Sequence, residues 1–159
     1  MRALAIRYVG RYATTQAKLT EYLARKIKER GWTDESRPPV TAIVDHCVVA
    51  GYVDDRTYAE TKSRSLARRG YGHRRVASAL HQSGIARDMT EELRPDADSA
   101  FESAETFARK RRIGRFGAVP PDAIMARRQF AAMIRAGHSA DLAGYFVRTV
   151  PAADAGDEF

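Results

Sequence analysis

Two adjacent carboxylates, Asp54 and Asp55, and an adjacent imidazole and thiol, His46 and Cys47, are the pairs in this chain whose types could do chemistry. Paired aspartates can hold a divalent cation or divide acid and base roles between them, and Cys beside His can ligate zinc. Each chemistry needs further groups. No recognised cation loop surrounds the aspartates. Adjacent residues on a helix point about 100° apart, and no second Cys or His pair stands at zinc-finger spacing, so no metal is expected. The stretch "AGYVDDRTYAE" (50–60) offers the aspartates a plainer use. Asp54 can cap a helix, Asp55 can sit in its first turn against the positive end of the dipole, and Val53 can staple onto Tyr58. Such a cap contributes roughly 1 kcal/mol. The other histidines, His73, His81 and His138, are expected to face solvent or lie near helix ends. No Ser-His-Asp grouping, nucleophile elbow or nucleotide-binding glycine loop is recognisable, and "GRFG" is too short to cradle phosphate. The expectation is a protein that is not an enzyme and needs no cofactor.

The basic residues point elsewhere. The 159 residues carry a formal charge of +7 and are 44% hydrophobic, enough apolar content for a folded core. An excess of that sign either attracts a polyanion or is tolerated as self-repulsion. It is also uneven: Arg56, Lys62, Arg64, Arg68, Arg69, Arg74 and Arg75 stand against the single acid Glu60, and "RKRRIGR" runs from Arg109 to Arg115. The last residues, "PAADAGDEF" (151–159), are acidic and are expected to be disordered. No run approaches the roughly eighteen consecutive apolar residues of a membrane span, the start reads unlike a secretory signal, and there is one cysteine. Together these suggest a cytoplasmic protein.

The elements that must position these charges are helices. Leu19, Leu23 and Ile27 fall four apart, Thr14 or Thr15 can cap their helix, and Gly31 can end it. Val76 and Leu80 repeat the spacing before Gly84, and Phe130 and Met133 continue it before Gly137, with the prolines at 120 and 121 opening that helix. The three stop glycines are 53 residues apart each time. Each of these helices has an apolar helical segment before it and another after it. The pattern predicts an all-α protein of tandem three-helix repeats, at 1–52, 53–96 and 97–150, stacked into an elongated molecule, with "IGRFGAVPP" (113–121) a loop in the last repeat. On the helix from Asp55, Arg64 and Arg68 fall opposite the apolar face. On the next, burial of Val76 and Leu80 turns Arg74 and Arg75 outward. The second cluster covers more than a full turn, so some of its charges must point inward or fray the helix end. Tyr52, Tyr58, Val76 and Leu80 are assigned to packing.

The segments "GYVDDRTYA" (51–59), "GYGHRRVASALHQSGI" (70–85) and "YLARKIKERGW" resemble the RecX family, regulators of the RecA recombinase. The likeness covers about residues 3 to 94 well and the last repeat only loosely. Two features depart from the usual pattern: an extra turn in the first middle helix, and Gln129 at the usual apolar position of the third, with Phe130 taking its place. The resemblance implies tandem three-helix repeats in a curved, all-helical monomer. It implies binding in the groove of the RecA nucleoprotein filament, contact with single-stranded DNA held there, weak binding to free DNA, and inhibition of recombinase and ATPase activity in recombinational repair and the SOS response. Arg64, Arg68, Arg74 and Arg75, with Arg69, and then Arg109, Lys110 and Arg112, are the expected partner-facing residues. A helical, sequence-specific DNA-binding regulator is the alternative, with Gln82 beside the Arg74, Arg75 pair as its candidate base readers.

Overall fold

The computed structural model describes residues 1–32 and 38–149. Among them the chain is all helical and has no strand. The helices are α1 (Arg2–Val9), α2 (Gln16–Arg30), α3 (Val40–Val49), α4 (Asp55–Arg68), α5 (His73–His81), α6 (Arg87–Glu92), α7 (Ala97–Arg111), α8 (Ala123–Arg135) and α9 (Ala140–Arg148). A short 3-10 turn, Gly114–Phe116, interrupts the expected loop before α8. The acidic tail at 151–159 lies outside the described residues. Two compact units form, one from Met1–Lys62 with Ala79–Glu92, the other from Ser63–Ser78 with the chain from Leu93 onward. Helices α4 and α5 therefore each give one part to either unit.

In the first unit the apolar stripes of α1, α2 and α3 meet. Ala5, Leu19, Leu23, Ile43, Val44, Cys47 and Val53 form its core, and Tyr8 stacks on Tyr22 with ring centroids 4.1 Å apart. Each leucine buried this completely contributes about 1.5–3 kcal/mol. Cys47 is one of the core residues, and burial pushes its thiol up, so it behaves as a small hydrophobe. Neighbouring His46 is exposed.

The aspartate pair ties helix starts together. Asp54 caps α4 as expected: its Oδ1 accepts from Thr57 N at 2.9 Å and its Oδ2 from the Thr57 hydroxyl at 2.8 Å, bonds that hold the carboxyl below the usual carboxylate range. Asp55 does something the local sequence does not reveal. Its Oδ1 accepts from Gln16 N, 2.9 Å away at the first residue of α2, a helix with no acid in its own first turn. Thr15 completes that cap, accepting from Lys18 N at 3.2 Å while its hydroxyl donates to Ser83 O at 2.5 Å. The Tyr58 hydroxyl receives Lys18 Nζ at 3.0 Å and lies 3.2 Å from Ser83 Oγ, drawing α2, α4 and the end of α5 into one polar network. Tyr58 is thus half-buried, as assigned, whereas Tyr52 is 56% exposed: after the positive φ of Gly51 the chain turns so that Val53 enters the core and the tyrosine does not.

The second unit packs α7, α8 and α9 around Phe146, with Ala104, Ala108, Ile113, Met133, Ala143 and Val147. Alanines on facing helices leave room for that ring. On α8 the inward residues are Ala126, Gln129 and Met133, while Phe130 is 37% exposed, which corrects the expected exchange of Phe130 for Gln129. Gln129 keeps its inward place because its Oε1 accepts from Gly114 N at 3.3 Å, satisfying a half-buried polar group. The prolines stand before α8, and Asp122 is its cap, accepting from Met125 N at 2.7 Å.

Helix ends recur as one motif. After α4, α5, α7 and α8 the residue in left-handed or positive-φ conformation, Gly70, Gly84, Arg112 or Gly137, donates its N–H back three residues, and the next residue donates back five. The residue after the glycine thereby folds onto the helix. That explains His138, which is 2% exposed rather than solvent-facing: its N–H reaches Met133 O, and its Nε2 donates to Gly70 O at 3.0 Å. The same end of α8 meets the start of α5. Gly72 N donates to Ala136 O at 2.9 Å and Arg74 N to Gly137 O at 3.2 Å, just as Thr15 meets Ser83 in the first unit. Contact is close enough that a Cβ on Gly137 would lie 2.4 Å from Arg75 N, and one on Gly84 2.1 Å from the Ala17 Cβ.

Two outcomes follow. Gly84→Ala should destabilise by about 3 kcal/mol or more, because positive φ and steric overlap add, whereas Gly31→Ala, with φ +75 and nothing within 4 Å, should cost only about 1–2 kcal/mol; urea unfolding of the two variants measures the difference. His138 is held below the usual histidine range by burial, the Gly70 carbonyl opposing in part. The native state then binds fewer protons than the unfolded chain just below the ordinary value of about 6.5, so stability is full above that pH and falls on acidification through it. Melting temperature should drop between about pH 7.5 and 5.5, and His138→Gln should flatten that slope; an unchanged slope would contradict the assignment.

Candidate functional site

All eight residues expected to face a partner are exposed, and all belong to the second unit. Arg64 and Arg68 stand on the solvent face of α4, and Arg69 follows its last turn. The chain then makes the Gly70 turn, where an added Cβ would lie 2.8 Å from Phe107 N, so α7 backbone presses directly on it. Tyr71 comes next, and α5 opens with His73, Arg74 and Arg75.

Tyr71 is the organising group. The Arg69 guanidinium lies over its ring at 5.3 Å and that of Arg75 at 5.9 Å, one from the end of α4 and one from the start of α5. Lys110, on the last turn of α7, extends Nζ to the Arg69 carbonyl at 3.3 Å. Its ammonium thereby sits at the negative end of α4. The sequence groups Lys110 with the second basic cluster; the fold places it in the first. Arg69 and Arg75 thus share one aromatic ring, and Lys110 joins them from α7 through the Arg69 carbonyl.

The start of α5 carries charges of the unfavourable sign. No acid lies in its first turn, yet Arg74 and Arg75 do, at the positive end of the helix. Each such placement costs on the order of 0.3–1 kcal/mol. The Ala136 and Gly137 carbonyls satisfy the Gly72 and Arg74 N–H groups, so the helix start is closed to an outside anion while the guanidinium groups remain at the surface. Among the described residues no carboxylate pairs with Arg68, Arg74 or Arg75.

The second cluster is built differently. Arg109 lies 3.7 Å from Glu105 and over the Phe116 ring at 4.6 Å. Arg115 pairs with the same carboxylate and covers the same ring at 4.9 Å. One glutamate therefore offsets at most one of the two arginine charges. Arg112 takes the left-handed cap position at φ 53, the only non-glycine with positive φ among the described residues. Neither expected alternative occurs: Arg109 to Arg112 all stay exposed, and the helix closes cleanly at Arg111 with Ile113 buried beneath. Sequence reasoning missed Tyr71. Its signal was its place directly after a turn glycine and between two arginine pairs.

No group of three or more His, Cys, Asp or Glu side chains among the described residues could hold a metal ion, and no described helix is long and apolar enough to cross a membrane. Residues 54–93, from the Asp54 cap to the end of α6, match the family model described as RecX, second three-helix domain. The chain is 31% identical over 157 residues to the regulatory protein RecX of Myxococcus xanthus, covering 93% of this chain and 84% of that one. It is 31% identical over 141 residues to the RecX of Halorhodospira halophila, covering 89% and 82%. The crystal structure of RecX from Lactobacillus salivarius superposes with a TM-score of 0.72 at 16% identity over 92% of this chain and 91% of that chain, a likeness of fold. With the likeness to the Myxococcus protein running over nearly the whole length, and the α4–α6 triplet matching the family's own second domain, this chain belongs to the RecX family of regulatory proteins.

Proposed function

We propose that the chain binds the RecA nucleoprotein filament along its groove and inhibits its recombinase and ATPase activities, acting as a regulator of recombinational repair and of the SOS response. We further propose that it does so as three three-helix repeats, 1–52, 53–96 and 97–150, with the partner-facing residues on the second and third. Family membership supports RecA as the partner. The single observation that carries the choice of surface is the α5 start, where Arg74 and Arg75 sit at a positive helix end without a compensating acid and Arg75 shares the Tyr71 ring with Arg69. Guanidinium forks held over a ring lose less freedom on meeting carboxylate or phosphate, which is what a groove lined by protein acids and DNA phosphate would offer. Arg64 and Arg68 extend the same basic run along α4. Arg109, Lys110 and Arg112 contribute from the end of α7, Arg109 least, because Glu105 already engages it. Occupancy of the groove would bridge successive subunits and hinder the motions of ATP turnover.

Changing Arg64, Arg68, Arg74 and Arg75 together to glutamate should raise the concentration needed to slow ATP hydrolysis by preformed RecA filaments at least tenfold, with far-UV circular dichroism unaltered. Inhibition at the wild-type concentration by that folded variant would remove this surface from the mechanism. Arg109→Glu alone, by the same assay, should weaken inhibition no more than about twofold.

A further inference from the structure

The two end-to-start junctions described above are built alike. The end of α5 meets the start of α2, where Ala17, the second residue of that helix, lies against Gly84 and Thr15 donates to Ser83 O. The end of α8 meets the start of α5, where Arg74 N, again at the second residue, donates to Gly137 O. One such helix end and one such helix start are left over. The end of α2 carries Gly31, 53 residues before Gly84 and also at positive φ. Yet a Cβ added there would meet nothing within 4 Å, and Gly31 N makes no return bond to its own helix. The start of α8 is open in the complementary way: Ile124, its second residue, has no partner for its N–H among the described residues.

Each leftover surface has the chemistry to take the other. Beside Gly31 opens a hollow of about 490 Å3, walled by Met1, Leu4 and Trp32 and lined also by Arg7 and Arg30. Lys26 lines it too but is paired with Glu29, whereas no carboxylate among the described residues pairs with Arg7 or Arg30. The α8 start presents Ile124, 63% exposed, and Met125, 47% exposed, with the Asp122 carboxylate at the cap. We propose that the start of α8 in one copy of this chain seats in that hollow on a second copy, repeating between molecules the junction that the fold makes twice within one. Ile124 and Met125 enter the hollow, the Ile124 N–H takes one of the last carbonyls of α2, and Asp122 faces Arg7 and Arg30. Larger side chains suit this site, since the hollow leaves room that Ala17 lacks against Gly84. A second copy is favoured over an unrelated protein because the contact needs an open helix start and an open helix end, and the chain carries both. The two surfaces differ, so the joining is head to tail. A contact of this size, with Arg127 and Arg128 further along α8 opposing the rim charges, has a dissociation constant on the order of 100 µM, so dilute protein stays a single chain. None of these residues belongs to the partner-facing set above.

The test is sedimentation velocity of the full chain between about 10 and 500 µM. The weight-average mass of the wild type should rise with concentration above that of one chain. Ala3→Trp fills the hollow from an exposed position on α1, and Ile124→Asp places a charge at the exposed α8 start. Each variant should stay at the mass of one chain over the same range, with circular dichroism unaltered. Mixed one to one, the two variants should regain a two-chain species, because the first keeps its α8 start and the second its hollow. A wild-type mass independent of concentration would overturn the inference, and weaker inhibition of RecA filaments by Ala3→Trp in that case would give the hollow to the filament instead. Wild-type association that survives either substitution, or variants that fail to join when mixed, would overturn it as well. Should Ala3→Trp fail to fold, Arg30→Glu, on the exposed last turn of α2, takes its place in both experiments.

Discussion

The first N–H groups and last carbonyls of every α-helix have no partner inside the helix, and in a chain of short helices those orphans are a large share of all polar groups. This protein meets the constraint by bringing the ends of one helix to the start of another. Ala136 and Gly137 present carbonyls to Gly72 and Arg74, Ser83 presents its carbonyl to Thr15, and Asp55 lends a carboxylate to Gln16. Apolar stripes alone would permit the helices to slide or rotate. The end-to-start bonds set their register, and glycine at the meeting point lets backbone approach backbone without a Cβ between them. Closely packed alanines in the second core complete the arrangement, since Phe146 has space only if α7 and α9 hold their spacing.

The same geometry determines where charge collects. A helix start closed by another helix's carbonyls cannot take an anion with its own N–H groups, so recognition passes to the side chains of its first turn. Arg74 and Arg75 occupy that turn, and the turn glycine before them brings Tyr71 and Arg69 alongside. Two physically different basic clusters result. Around Tyr71 two guanidinium groups share an aromatic ring and Lys110 meets a backbone carbonyl, with no carboxylate among the described residues paired to them; around Phe116 two arginines share a glutamate and are partly neutralised. Counting arginines along the sequence treats the two as equals. Their surroundings do not.

Much of the fold was legible in the chain as written, because it depends on local chemistry. Helical spacing of Leu19 and Leu23, the Asp54 cap and the stop glycines at 53-residue intervals all correspond to helices and turns of the structure. What escaped was set by partners distant in sequence. The role of Asp55 depends on Gln16, and the inward turn of Gln129 on Gly114. His138 is different, since its signal was present: it follows a stop glycine, as Ile85 does 53 residues earlier, and both are buried. Reading the imidazole as polar concealed what the repeat implied. For the site, exposure of the arginines followed from helical phase, but grouping did not, because Lys110 joins Arg69 only once α7 packs against the Gly70 turn.

The bond from Gln16 to Asp55 spans 39 residues, and that from Thr15 to Ser83 spans 68. A ribosome releases the chain from its amino end, so α2 emerges with its local Thr15 cap but without the Asp55 carboxylate for Gln16 N–H, and Thr15 finds the Ser83 carbonyl only when more than half of the polypeptide has been made. The apolar core of the first three helices is complete once Val53 has emerged, whereas the polar ties that fix the start of α2 wait for α4 and the end of α5.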